Sequence, residues 1–278
     1  MLEGKSIVIT GSGRGLGRAA AISAATEYGA HVVVNDVDLE QAEAVVAEIR
    51  EAGGVAVASG HSVADAEQAR ALIELCVTEF GRIDGLVNNA GLTLLGDPSE
   101  VLASNVDRLV DVNVKGVLFC GIAALAHMKA QRSGIIVNVT SRTHVGYYDA
   151  ALYAATKGAT ASATYSWALD MAPYGVRVTG FAPSAQTRMS GSLENLSDPS
   201  DVTNAVIYLL SDRAAKLSGQ ILRFNGDSLN LMKLPEFEPD NGTYPHLSVT
   251  GIADLIDNEL SDQISGVGLT MVDLTTLG

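Results

Sequence analysis

The chain is short of residues that cross-link, stiffen and stack. Its 278 residues include two cysteines, one tryptophan and seven prolines, and aromatics make up 5%. Two cysteines, Cys76 and Cys120, cannot hold together a small disulfide scaffold. Both fall on apolar helical stretches and read as small buried hydrophobes. The five histidines are scattered, so no metal-ligand spacing arises and no metal site is expected. Basic residues are scarce as well: 18 Lys and Arg stand against 32 Asp and Glu, a formal net charge of −14. A surface this acidic repels phosphate backbones and anionic bilayers, which argues against nucleic-acid and membrane partners. Long apolar runs are missing too. The longest near-apolar stretch, Gly116 to Ala126, falls short of the roughly 20 residues that span a bilayer. The opening Met-Leu-Glu-Gly-Lys meets an apolar segment too short for a signal peptide. A soluble, reduced, cytoplasmic protein is the expectation.

What is present supports a large core: 47% of residues are apolar and 18% charged. Strand-like runs alternate with helix-like segments along the chain. Ser6 to Thr10, His31 to Asp36, Val55 to Ala58, Asp84 to Asn88, Ile135 to Thr140, Val176 to Phe181 and Gln220 to Phe224 read as strands. Between them, Gly15 to Gly29, Leu39 to Ala52, a segment carrying Leu72, Ile73, Cys76, Val77 and Phe80, Leu109 to Met128, Leu152 to Met171, and a segment opened by Asp198-Pro199 read as helices. On the second helix Leu39, Ala42, Val45, Val46 and Ile49 share one face. Alternation at this spacing implies parallel pairing with right-handed crossovers. Strands that are apolar throughout imply a sheet covered on both faces. Near Leu234 the composition turns acidic and turn-rich, and Thr250 to Leu260 reads as one more amphipathic helix. The organisation is therefore a main domain over residues 1–233 and an extension over 234–278, too short to be a second domain.

The first strand runs into Thr10-Gly-Ser-Gly-Arg-Gly-Leu-Gly17, and a helix begins inside that run. Small residues let the backbone approach a pyrophosphate, while the helix N-terminus offers amide hydrogens and the positive end of its dipole. Gly11, Ser12, Arg14, Gly15, Leu16 and Gly17 are the candidate phosphate-side residues. Asp36, ending the second strand, can accept hydrogen bonds from an adenosine ribose and repels a 2′-phosphate, which favours NAD over NADP. Arg14 argues the other way, since it can pair with that phosphate; a flexible arginine can also turn aside.

These residues and six further motifs resemble, in order, those of the short-chain dehydrogenase/reductase family. The glycine run resembles its TGxxxGxG loop, and Asn88-Asn89-Ala90-Gly91 its NNAG motif. Asn113 matches a structural and catalytic asparagine, and Asn138-Val-Thr-Ser141 closes a strand where the family places its catalytic serine. Tyr153-Ala-Ala-Thr-Lys157 matches YxxxK, Pro183-Ser-Ala-Gln-Thr187 stands at PGxxxT, and Ser218-Gly219-Gln220 resembles (S/T)GQ. The resemblance covers roughly residues 4–232. It implies an α/β fold with a single Rossmann-type doubly wound parallel sheet of about seven strands, helices on both faces and a C-terminal appendage. It further implies that Ser62, Val63, Asn89, Ala90, Gly91, Tyr153, Lys157, Pro183 and Thr187 help hold the cofactor.

The chemistry so implied is hydride transfer between a secondary alcohol or ketone and NAD(H), with a proton moved at the substrate oxygen. Tyr153 is the acid/base. A free phenol titrates near 10; Lys157, one helical turn on, is expected to favour the phenolate and lower that value. By resemblance Lys157 also meets the nicotinamide ribose, and Asn113 holds a water linking Lys157 to solvent. Ser141 hydrogen-bonds the substrate oxygen. The Ser141–Tyr153 gap is one residue shorter than the family's, and Thr140 would restore the spacing, but Ser141 fits the motif after Asn138 and is chosen. Ser62 replaces a usual aspartate and Ser184 a usual glycine, and a short stretch from Thr187 to Asp198 leaves little room for a lid. His144, Tyr147 and Tyr148, with Ser141 and Tyr153, line the substrate pocket by resemblance. The extension, with Phe237, Tyr244, Leu255 and Met271, is expected to cover the cleft or make a subunit contact. The helices 109–128 and 152–171, apolar or small around most of their circumference, imply a homo-oligomer, a dimer or tetramer, with the tetramer preferred. Three alternatives stay open: NADP(H) as cofactor, a lyase or epimerase, and a non-catalytic NAD(H) sensor.

Overall fold

The computed structural model describes residues 1–184, 197–235 and 248–260. Two compact units divide the chain, residues 1–232 and 233–278. In the first, the Val/Ile-rich runs become β1 (Ser6–Thr10), β2 (His31–Asn35), β3 (Val55–Ser59), β4 (Gly85–Asn88), β5 (Gly134–Val139), β6 (Val176–Pro183) and β7 (Ile221–Phe224). All seven pair in parallel, in the order β3-β2-β1-β4-β5-β6-β7. Val8 lies opposite both Val33 and Leu86, and Ile136 opposite both Leu86 and Val178, so a continuous apolar ladder crosses the sheet. An eighth strand, β8 (Leu229–Leu231), corrects the expected count: it folds back antiparallel onto β7. Three residues between Asn-Gly-Asp-Ser and a methionine carry too short a pattern to read as a strand.

Helices α1 (Gly15–Thr26), α2 (Leu39–Glu51) and α7 (Pro199–Leu210) cover one face, where Ile7, Ile9, Val32, Val34 and Val137 meet Ala20, Ala24, Val45, Val206 and Leu209. The other face, with Val8, Val33, Leu86, Ile136 and Val178, packs on α3 (Ala66–Phe80), α5 (Gly116–Gln131) and α6 (Ala151–Met171). Local signals fix helix starts. Asp65 accepts from the Gln68 amide at 2.9 Å, and Asp198 from the Ser200 amide at 2.8 Å with Pro199 next in line. Leu39, placed by periodicity on the buried face of α2, is 43% exposed because it occupies the helix's first turn, outside the packed stripe.

The helix expected from Leu109 begins earlier. α4 (Ala103–Val110) leads through a single wide π turn, Asp111–Lys115, into α5. Ala103–Gln131 is thus one 29-residue helical run, long and apolar enough to cross a membrane by length and composition alone. Its buried side, including Asn113, Val117, Cys120, Ala124 and Met128, belongs to the core. In the second unit, α8 (Val249–Leu255) runs into a wide turn, Ile256–Leu260. Ile252 and Ile256 are exposed there rather than forming a buried stripe. Phe237, Tyr244 and Met271, expected to cover the cleft, lie outside the described residues, as does Thr187.

Candidate active site

Strand order reverses between β1 and β4: α1 leaves β1 on one face and the loop after β4 leaves on the other. A crevice opens at the carboxyl ends of such strands, where open α/β sheets take ligands. The glycine run fills its base. Gly11 has φ +61°, and a Cβ on it would lie 2.8 Å from the Ala90 Cα. A Cβ on Gly17 would collide with the Gly11 carbonyl and the Asn89 amide. Only glycine permits this contact between the first turn of α1 and the loop after β4. Arg14, the residue before α1, makes no side-chain cap, so the helix's first amides stay open to an anion.

Asn89, Ala90 and Ser12 hold this cradle together. Asn89 Nδ2 donates to the Thr10 and Gly11 carbonyls, both at 2.9 Å. The Asn89 and Ala90 amides both donate to Thr10 Oγ1 at 3.0 Å. Ser12 is fully buried; its hydroxyl donates to the Ile9 carbonyl at 2.6 Å and accepts from the Asn35 amide at 3.0 Å. Its side chain ties β1 to β2 and leaves only backbone for a ligand. Thr10 went unremarked in the sequence beyond opening the motif, although a hydroxyl ending a buried strand is the signal that marks it.

Asp36 is half-buried just past β2. Its two carboxylate oxygens each accept one amide, Gly13 and Asp38, both at 3.1 Å, which leaves each oxygen a lone pair for a ribose hydroxyl. Arg14 pairs with Asp38 and reaches Gln41 at 3.4 Å. The guanidinium is thereby turned onto a carboxylate, and the net charge beside Asp36 stays negative. Ser62 accepts from the Ala64 amide at 3.3 Å, and Val63 is buried against Gly116. The residues present fit a nicotinamide dinucleotide: an uncapped helix start, a backbone that excludes a Cβ, and a half-buried carboxylate just past β2 with acceptor capacity to spare.

On the far side of the crevice, α6 delivers Tyr153 and Lys157. Lys157 is buried and donates to the Val139 carbonyl at 2.7 Å, with its Nζ 5.9 Å from the Tyr153 ring centre. Ser141 accepts from the Thr143 amide at 3.2 Å and the Thr143 hydroxyl at 3.0 Å, so its own proton is free to donate. Thr140 faces inward, donating to the Phe181 carbonyl at 3.2 Å. Of the two hydroxyls, Ser141 and not Thr140 acts on the Tyr153 phenol. The expected lowering of the phenol's pKa is reversed: burial pushes Tyr153 above the ordinary tyrosine value, and the Ser141 hydrogen bond only partly offsets it. Burial likewise pulls the Lys157 ammonium down to about 8. The common cause is desolvation, which disfavours each group's charged form.

Asn113 sits in the π turn, fully buried. Its Oδ1 accepts from the Leu92 amide at 2.7 Å, and its Nδ2 donates to the Leu92 carbonyl at 2.8 Å and to Thr156 Oγ1 at 3.0 Å. The side chain is spent on holding the loop after β4 against α6; its main-chain carbonyl, approached by the Thr160 hydroxyl at 3.4 Å, is what remains for a water. Thr156 passes the connection on, donating to the Tyr153 carbonyl at 2.8 Å. A second chain, Asn88 Nδ2 to Asn138 Oδ1 at 2.9 Å and Asn138 Nδ2 to Thr164 at 3.0 Å, locks α6 to β4 and β5. Thr156 and Thr164 escaped the sequence reading; a row of threonines on the sheet-facing side of α6 was their trace.

Tyr147 and Tyr148 are exposed, with no hydrogen-bond partner among the described residues. His144 Nδ1 bonds the Ser141 carbonyl, which places the proton on Nδ1 and leaves Nε2 an acceptor. A cavity of about 190 Å³ opens between the loop after β4 and the start of α6, lined by Leu94, Leu95, Val101, Asp149 and Leu152. Pro183 ends β6, and the Ser184 amide donates to the Phe224 carbonyl at 3.1 Å.

The chain matches a family model described as short chain dehydrogenase over residues 5–196. It is 36% identical over 239 residues to a 3-oxoacyl-[acyl-carrier-protein] reductase of Staphylococcus aureus, covering 80% of this chain and 97% of that one. A short chain dehydrogenase from Mycobacterium avium superposes with a TM-score of 0.86 at 30% identity, over 94% of this chain and 96% of the other. A gluconate 5-dehydrogenase from Burkholderia cenocepacia, solved with NADP and tartrate, gives a TM-score of 0.76 at 31% identity, over 81% and 95%.

Proposed function

The chain belongs to the short-chain dehydrogenase/reductase family, and from that premise we propose that it interconverts a secondary alcohol and a ketone using NAD(H), with Tyr153 as the acid/base. The observation that carries this reading is the buried Lys157, bonded to the Val139 carbonyl, with its Nζ 5.9 Å from the Tyr153 ring centre beside the glycine-lined crevice. Gly11 to Gly17, Asp36, Ser62, Val63 and Asn89 to Gly91 would hold the dinucleotide, whose nicotinamide supplies a two-electron donor or acceptor. Tyr153 Oη then holds the proton that the substrate oxygen gains or loses. Its raised pKa keeps the phenol protonated at neutral pH, the form suited to ketone reduction. Ser141, with its proton free, donates to the same oxygen as charge develops. Lys157 ties α6 to β5, and Asn113 holds α6 to the loop after β4. Asp36, with Arg14 occupied by Asp38, supports NAD(H) over NADP(H); the NADP bound by the gluconate 5-dehydrogenase neighbour marks the competing choice. The enzyme is further read as cytoplasmic and homo-oligomeric.

The test is net absorbance change of reduced nicotinamide over a panel of alcohols and ketones. Turnover supports the reading. Cofactor binding with no turnover would replace it with a sensor, and product without net cofactor change with a lyase or epimerase.

A further inference from the structure

Among the described residues, four buried side-chain polar atoms have no hydrogen-bond partner: His144 Nε2, Arg177 Nη1, Thr179 Oγ1 and Arg223 Nε. Arg177 is otherwise provided for, since its other terminal nitrogen donates to the Ser211 carbonyl at 2.8 Å and Asp212 lies within electrostatic reach. Arg223 is not. It stands on β7 opposite Ala182, the residue before Pro183, at the catalytic end of the sheet. The charge it meets is another arginine: burial first, and then the Arg142 guanidinium, hold its pKa below the ordinary value, and no carboxylate among the described residues works in the other direction. Arg142 directly follows Ser141 in the turn Arg142–Val145. Neither arginine joins an ion pair among the described residues.

Two guanidiniums within electrostatic reach of each other, neither paired among the described residues, are costly, and more so with Arg223 half-buried. In a chain with 32 acidic and 18 basic residues, a carboxylate partner was available in abundance. A guanidinium pair without one is suited to a ligand anion, because each planar fork matches a carboxylate or phosphate edge in a bidentate fashion. We infer that Arg142 and Arg223 form an anion subsite next to Ser141, and that the substrate is a secondary alcohol or ketone bearing a carboxylate or a phosphate. This rests on the oxidoreductase reading above and names the substrate class for the same site. His144 Nε2, an acceptor on the same turn, suits a donor group and takes no part in holding the anion.

The experiment uses the full chain with saturating NAD. Each of two secondary alcohols is paired with a neutral analogue: 3-hydroxybutyrate with its methyl ester, and glycerol 3-phosphate with glycerol. The charged member of at least one pair is expected to lead in kcat/KM by about tenfold or more, the usual reach of a charged hydrogen-bonded contact. Arg142→Gln and Arg223→Gln should each cut that ratio by a similar factor, and Arg223→Lys should restore part of it. The pair that shows the effect identifies the anion. Calorimetry decides independently of turnover. Wild-type protein loaded with NAD should bind succinate or inorganic phosphate, and the Arg142→Gln/Arg223→Gln double variant should not. Equal or better use of the neutral analogues, or unchanged anion affinity in the double variant, overturns the subsite. Failure of the oxidoreductase reading shows separately, as absent NAD binding in a titration with the dinucleotide alone.

Discussion

Tyr153 and Lys157 lie one turn apart on α6, and burial moves their pKa values in opposite directions, Tyr153 up and Lys157 down. Lys157, at about 8 when folded and 10.5 when free, binds fewer protons folded than unfolded between those values. Stability therefore rises with pH across that window, and the cost of burying the charge is fully present below about 8. Lys157→Met removes this dependence. Its thermal midpoint relative to wild type should be most favourable near pH 7 and decline toward pH 10.5, as scanning calorimetry at several pH values would show. Tyr153→Phe is expected to lower kcat by about 10²- to 10⁴-fold, the usual share of acid–base catalysis, with NAD affinity within about twofold. Full-rate turnover in that variant would refute the assigned role. In wild type, alcohol oxidation should climb with pH through the alkaline range, because the phenol must lose its proton before it can accept one. At this scale the sequence was informative about identity and silent about sign. A tyrosine and a lysine four apart could be placed together from spacing alone. Which way their pKa values move depends on how much water α6, β5 and the Ser141 turn exclude, and no spacing encodes that.

Among the elements, the glycine loop depends on a hydroxyl that two amides share. Thr10→Val keeps the shape of the side chain and strands both the Asn89 and Ala90 amides. A stability loss of about 1–3 kcal/mol should follow, readable by urea titration, with weaker NAD binding. Asp36→Ala should move cofactor preference toward NADP by about tenfold in kcat/KM, since one carboxylate facing a 2′-phosphate is removed. Unchanged preference would put the selectivity elsewhere. Elements were legible where one pattern acted alone: seven apolar runs gave seven strands, and Asp198-Pro199 gave the start of α7. They were not legible where a local cap or a neighbouring strand, rather than apolar pattern, set the element. α4 begins six residues before the apolar stretch does, because Leu102 and Asn105 close its first turn through their own backbone and amide, with Asn105 Oδ1 accepting from the Leu102 amide at 3.3 Å. The three residues of β8 are a strand only because β7 offers them an edge.

For the whole molecule, the exposed apolar residues Ile122 on α5 and Leu169 on α6, 60% and 78% accessible, call for a cover. Light scattering should find a tetramer, and Leu169→Lys should shift it toward smaller species; a wild-type monomer at micromolar concentration would end that expectation. The strand order carries one more consequence. β1 is laid down first, yet one of its two neighbours, β4, arrives after β2, α2, β3 and α3 have all been made. During synthesis, then, Ile7-Val8-Ile9 waits with one row of amides and carbonyls unmatched until Gly85–Asn88 slots in beside it. A nascent chain of fewer than about ninety residues carries the same open seam that later closes into the cofactor crevice, and it is there that a ribosome-bound or partly synthesised copy is most exposed to pairing with the wrong strand.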